Sequence, residues 1–234
     1  MQKLAIITGS SAGIGLSLVE EMIKKNYIVF GYSRTNKLTH KHYTVKQVDL
    51  SNLTQVRNIE LPIFDKVKKV VLINNAATIG TILPLQEKTE KDILYEYNVN
   101  LISPILLLRN FINSYFRVKE KLIINISSGA SRKPIHSWST YCSSKSGLDA
   151  ITRVLSEELQ KNYKVFSVYP GVVNTNMQEE IRRSDPDKFP LLSTFLSYYK
   201  KNELLSTNYV ASEIIKIVEN PDKFTSKMID IRDL

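Results

Sequence analysis

Residues Lys3 to Thr8 read Lys-Leu-Ala-Ile-Ile-Thr, an apolar run without polar alternation. A strand that leaves no face for water belongs in a parallel sheet covered on both sides. The run passes directly into Thr8-Gly9-Ser10-Ser11-Ala12-Gly13-Ile14-Gly15. After it Leu16, Val19, Met22 and Ile23 recur at helical spacing, and Asn26 is placed as the C-cap. Strand, glycine turn and helix in this order constrain the fold strongly, because parallel strands need crossover helices. The start of such a helix offers free backbone N–H groups and a positive dipole end, which suit a pyrophosphate. Glycines at 9, 13 and 15 let the main chain approach it closely. The spacing is G-x-x-x-G-x-G, and a purely structural turn is the alternative.

The alternation continues. Strands are expected at Tyr27–Ser33, Tyr43–Val48, Val70–Ile73, Leu122–Ile126 and Lys164–Tyr169, with a short last one at Met228–Ile231. A weakly patterned helix is expected over Ser51–Ile59 and a long one over Glu90–Tyr115. This predicts an α/β chain with a doubly wound, mostly parallel sheet between two helical layers, as one domain over residues 1–234. Ligands bind beyond the carboxyl ends of such strands. Residues 176–207 break the rhythm with Pro186 and Pro190, and are expected to be an insertion over the ligand crevice. The net charge is +9, but the basic residues are scattered singly or in pairs, so nucleic-acid binding is weakly motivated. The single cysteine fits a reducing compartment. No apolar run is long enough for a membrane span, and a cytoplasmic protein is expected. His40 and His42 have no evident third partner, so no metal is expected.

Two features carry chemistry. Tyr141 and Lys145 are four residues apart, hence on one helix face. A lysine ammonium beside a tyrosine hydroxyl lowers the phenol pKa, and a tyrosine so tuned exchanges a proton with a carbonyl or alcohol oxygen. Such pairs also arise by chance. The helix is supported by Leu148, Ile151, Val154, Leu155 and Leu159, with Glu157, Glu158 and Lys161 off that stripe. The second feature is Ser33-Arg34-Thr35 after the second strand. An arginine there accommodates a 2′-phosphate, whereas an acidic residue would hold a free ribose diol. A surface arginine is the alternative reading. Asn100 sits mid-helix, where asparagine is unfavourable, and requires a reason.

Together the pieces resemble the short-chain dehydrogenase/reductase family over essentially the whole chain. They are Thr8–Gly15, Asp49-Leu50, Asn74-Asn75-Ala76-Ala77, Asn98-Val-Asn-Leu101, Ile126-Ser-Ser128, Tyr141-x-x-x-Lys145 and Pro170-Gly-Val-Val-Asn-Thr175. Gly129–Pro134, Trp138 and Tyr141-Cys142 resemble the benzil reductase and sepiapterin reductase branch. The resemblance implies a Rossmann fold and an NADP(H)-dependent oxidoreductase. It implies Tyr141 as acid/base, Lys145 lowering its pKa and bonding the nicotinamide ribose, and Ser128 holding the substrate oxygen. It gives Asn100 a role in supporting a water that relays protons to Lys145. Gly9, Ser10, Gly13 and Ile14 are implied at the pyrophosphate, and Ser33 and Arg34 at the 2′-phosphate. Asp49 and Leu50 would contact adenine, and Asn75, Ala76 and Ala77 the adenosine and ribose. The Pro170-Gly171 turn, Val173 and Thr175 would meet the carboxamide and phosphate.

One departure stands out. Many NADP-using members carry a basic residue just before the middle glycine, where this chain has Ala12, so Arg34 supplies the preference nearly alone. The expected substrate is a small ketone, aryl ketone or vicinal diketone, and the expected assembly a homo-oligomer, dimer or tetramer, through the Glu90–Tyr115 helix. The alternatives are an NAD-linked alcohol dehydrogenase and a cofactor-binding regulator without turnover.

Overall fold

The structure, a computed structural model, describes residues 2–159 and 162–234, so Lys161 lies outside the described residues. Seven strands form one sheet: β1 (Gln2–Thr8), β2 (Tyr27–Ser33), β3 (Tyr43–Gln47), β4 (Val67–Asn74), β5 (Glu120–Ile126), β6 (Tyr163–Tyr169) and β7 (Met228–Asp230). Their order is β3-β2-β1-β4-β5-β6-β7, and every pairing is parallel. Ile6 of β1 stands between Phe30 of β2 and Leu72 of β4, so the strand order reverses at β1. The crevice beyond that reversal is where a doubly wound sheet accepts a ligand.

Helices cover both faces: α1 (Gly13–Lys24), α2 (Leu53–Arg57), α3 (Glu90–Tyr97), α4 (Ser103–Ser114), α5 (Ser139–Glu158), α6 (Asn176–Arg182), α7 (Leu192–Lys200) and α8 (Thr207–Glu219). Alternate residues of each strand serve opposite layers, as the period of two requires. Ala5, Ile7, Val71 and Ile73 pack with Leu18 of α1 and Ile214 of α8. Leu4, Ile6, Val70 and Leu72 pack with Val56 of α2, Leu107 and Phe111 of α4, and Leu155 of α5. This is the expected three-layer arrangement, with the inner strands buried on both faces and the edge strand β3 largely exposed.

Several boundaries differ from the sequence reading. β4 and β5 start before their apolar runs, because Lys69 and Lys121 extend them with buried stems. The Lys69 ammonium donates to the Val218 carbonyl at 2.6 Å and that of Lys121 to the Val118 carbonyl at 2.5 Å. Asn26 lies one residue beyond the α1 cap Lys25, with φ +62°, a left-handed position that asparagine tolerates. Val154 is 49% exposed, so it leaves the apolar stripe of α5 that Leu148 and Leu155 keep. The long helix expected over Glu90–Tyr115 is α3 and α4 joined by a wide π turn at Asn98–Ile102. Pro104 follows this turn and has no N–H for the carbonyl four residues back, that of Asn100, which accounts for the break in the α ladder.

Candidate active site

At the carboxyl ends of β1, β2, β4, β5 and β6 a cleft of about 1160 Å³ opens. Its floor begins at the glycine turn. Gly9 has φ +65°, and a Cβ there would come within 2.9 Å of the Ala76 Cα. At Gly15 an added Cβ would overlap the Gly9 carbonyl oxygen. The turn is therefore folded so tightly against the end of β4 that only glycine fits both positions. Asn75 holds the two loops together, its amide donating to the Thr8 carbonyl at 2.9 Å, while Thr8 Oγ1 accepts from the Asn75 and Ala76 N–H groups at 3.0 Å. The first turn of α1 opens onto this floor, with Ala12, Gly13 and Ile14 in the cleft wall.

Most of the residues singled out in the sequence converge here. Gly9, Gly13, Ile14, Ser33, Arg34, Asp49, Leu50, Asn75, Ala76, Ala77, Ser128, Tyr141, Lys145, Pro170, Gly171, Val173 and Thr175 all line the cleft. Two do not. Ser10 is fully buried beneath the turn, its hydroxyl 2.9 Å from that of Tyr43 and 3.4 Å from that of Ser33, so Ser11 rather than Ser10 meets the cleft. Asn100 is also fully buried, its amide clamping the backbone of Thr78 at 2.9 Å in both directions. That clamp is the observed reason for a mid-helix asparagine, and it fixes the loop that follows β4.

Beyond the sheet, Ser128 ends the loop after β5, and α5 runs past it. Tyr141 and Lys145 lie one turn apart on the buried face of α5, at 6% and 2% exposure. The Lys145 ammonium donates to the Ile126 carbonyl at 2.8 Å and stands 5.8 Å from the Tyr141 ring centroid. The expected drop in the tyrosine pKa is not what this geometry gives. Burial pushes the phenol up to about 12, with the nearby Ser128 hydroxyl pulling the other way. Burial likewise pulls Lys145 down to about 8, against the opposing charge of Asp149. Desolvation outweighs these opposing contacts for both groups, and the lysine is aimed at a carbonyl rather than the phenol.

Three contributors were missed in the sequence. Lys37 lines the cleft three residues after Arg34, a spacing that could have flagged it. Asp149 continues the i, i+4 series from Tyr141 and Lys145 by one more turn. The end of the cleft beside Tyr141 is walled by an aromatic cluster, of which the sequence singled out Trp138 alone. Trp138 stacks on Phe189 at 5.5 Å with planes 9° apart, and both touch Phe195 of α7. Tyr141 meets the Trp138 ring edge-on at 5.5 Å. Residues 176–207, expected as an insertion, bring Ile181 of α6, Phe189 of the connection after it and Phe195 of α7 to this cluster. Among the described residues no three His, Cys, Asp or Glu side chains gather as a metal site, and no helix is long and apolar enough to cross a membrane.

Comparison with known proteins identifies the family. Residues 3–186 match the family model for short chain dehydrogenase. The chain is 32% identical to benzil reductase ((S)-benzoin forming) of Bacillus subtilis, covering 99% of each. It is 31% identical to the Bacillus cereus protein of the same description, over 94% of this chain and 95% of that one. An NADPH-dependent pterin aldehyde reductase of Arabidopsis thaliana is 28% identical over 75% of this chain and 76% of its own. A short chain dehydrogenase/reductase of Saccharomyces cerevisiae superposes with a TM-score of 0.85 at 22% identity, over 99% of this chain and 96% of that structure, which bears on the fold.

Proposed function

The chain belongs to the short chain dehydrogenase family, as an oxidoreductase of the benzil and sepiapterin reductase branch, and from that premise we propose that it reduces small ketones and vicinal diketones with NADPH. The observation that carries this reading is one continuous cleft. It runs from Arg34 and Lys37, over the glycine turn, to Ser128 and Tyr141, and ends against Phe195 and Tyr198. The residues fit a dinucleotide. Gly9 and Gly13, at φ +65° and +55°, shape a cradle without side chains, and the first turn of α1 presents its N–H groups to a pyrophosphate. When bound there, the reduced nicotinamide supplies the hydride that the carbonyl carbon accepts.

The chain's own residues do the rest. Ser128 donates a hydrogen bond to the substrate carbonyl oxygen and so orients and polarises it. Tyr141 gives its phenolic proton to that oxygen as charge develops on it. The Lys145 ammonium stabilises the phenolate left behind and holds the ribose hydroxyls. Asn100 fixes the Thr78 loop from which a proton route to Lys145 would be supplied. Trp138, backed by the buried Phe189, and Phe195 exclude water, and Trp138 and Phe195 offer faces on which an aryl group packs. A vicinal carbonyl withdraws electrons from the reacting carbon, which makes diketones better acceptors than isolated ketones.

Arg34 and Lys37 support NADP(H) over NAD(H), since two cations at the end of β2 complement a 2′-phosphate. Leu94 of α3 and Val154 of α5 are 53% and 49% exposed, and a homo-oligomer built on this face would bury them. A cytoplasmic setting, rich in reduced cofactor, suits such a reaction. The test is a panel of benzil, biacetyl, an aryl ketone, a 3-ketoacyl thioester and an aldose, each assayed with NADPH and NADH. The diketones are expected to turn over fastest, with NADPH. Thioester turnover with inert diketones would overturn the reading.

A further inference from the structure

Asp149 is a buried carboxylate to which the reaction described above gives no part. It is 3% exposed and lies on the face of α5 that carries Tyr141 and Lys145, one turn beyond the lysine. Three hydroxyls donate to it. Ser131 Oγ reaches one oxygen at 2.5 Å and Tyr169 OH the same oxygen at 2.7 Å, while Ser167 Oγ reaches the other at 2.5 Å. Each donor stands on an element that delivers part of the cleft. Ser131 closes the short 3₁₀ turn Gly129–Ser131 that Ser128 caps, and its carbonyl accepts from Ser146 Oγ of α5 at 2.7 Å. Ser167 and Tyr169 belong to β6, which leads directly into Pro170 and Gly171.

We propose that Asp149 is a positioning residue for the reduction, tying the Ser128 turn and the end of β6 to α5 while its negative charge holds Lys145 in the ammonium form. The inference rests on the roles given above to Tyr141 and Lys145.

A carboxylate is an expensive way to join three hydroxyls. Burying it costs free energy that neutral donors recover only in part, and an asparagine of the same size would keep one acceptor oxygen and turn the other into an amide donor. The buried pair elsewhere in the chain is built differently. Lys88 contacts both oxygens of Glu96 at 2.8 Å, so each charge neutralises the other directly. Among the described residues the only polar side-chain contacts of Asp149 are the hydroxyls, which leaves its field directed at the neighbouring face of α5. Lys145 faces that field with one carbonyl contact and almost no solvent. The other groups facing the pair are few. On α5 there is Tyr141. From β6 there is Tyr169, whose ring carries the Arg132 guanidinium at 3.7 Å, and Asp230, the last residue of β7, lies near enough to act on Arg132. Burial already draws Lys145 down to about 8, and Asp149 is the charge opposing that fall.

The sign follows. Lys145 acts as a cation, so reduction is lost as pH rises through its pKa. Asp149→Asn removes the charge and keeps the size, so the alkaline limb of the kcat/KM profile moves to lower pH by roughly one unit. NADPH affinity measured at pH 6.5 stays within about threefold of wild type. A residue that only braced the fold would lower melting temperature and amplitude at every pH and leave the limb in place. A profile that superimposes on wild type therefore overturns the inference. If the asparagine variant is insoluble, Tyr169→Phe serves, because it takes one donor from the carboxylate and leaves its charge less compensated. The limb then moves to higher pH by a few tenths of a unit, and an unmoved limb overturns the inference equally. Wild-type turnover with an alkaline limb is the separate check on the underlying reading, and its absence would sink that reading first.

Discussion

Arg34 and Lys37 project from the loop after β2 at the end of the cleft beside that strand, and both are exposed. Exposed cations are worth little in isolation, but a guanidinium fork meeting a phosphate makes charge-assisted bonds of about 1.5–3 kcal/mol. Arg34→Ala should therefore weaken NADPH binding about 10–150-fold, and Lys37→Ala, a point charge in solvent, about fivefold. NADH affinity should barely change in either. Isothermal titration of both cofactors against both variants checks this, and equal weakening of the two cofactors would remove Arg34 from the 2′-phosphate site. The sequence made Arg34 legible because it directly follows a strand. Lys37 was obscured by lying outside any element, where a lysine reads as solvated surface. Ser10 shows the opposite failure. A serine in the glycine turn is expected at the ligand, yet Tyr43, thirty-three residues away, captures its hydroxyl beneath the turn.

Helix α7 walls the end of the cleft proposed for the substrate. Phe195 is half-buried and lines the cleft, whereas Phe189 is fully buried behind Trp138. Phe195→Ala should raise KM for benzil by about 10–100-fold, the loss of one large apolar contact, while biacetyl, with no ring to pack, changes little. Steady-state kinetics on the two diketones decide it, and equal effects on both would mean that Phe195 braces the loop rather than meets the substrate. The strands, α1 and α5 were legible because apolar periodicity and turn glycines act locally. The π turn before Pro104 was not, because a wide turn keeps the same apolar face as an α-helix. Nor was the Lys88–Glu96 pair, which also binds Thr140 beside Tyr141 and depends on contacts made only after folding.

At the scale of the molecule, the reversal of strand order at β1 gathers the loops after β1, β2, β4, β5 and β6 at one end of the sheet. Chemistry spread from Gly9 to Thr175 along the chain thereby meets in one cleft. That convergence was readable from motif order, since each motif follows a strand. The environment was not. The sequence suggests a tyrosine acidified by its lysine, whereas the folded site buries both and lets desolvation prevail. The central claim is that Tyr141 gives the proton while the cleft holds the cofactor independently of it. Tyr141→Phe keeps the ring and removes only the hydroxyl. Reduction of benzil by this variant, measured beside NADPH binding by titration, should fall by at least about 10²–10⁴-fold with the dissociation constant unchanged. Near-normal turnover in the phenylalanine variant would contradict the account.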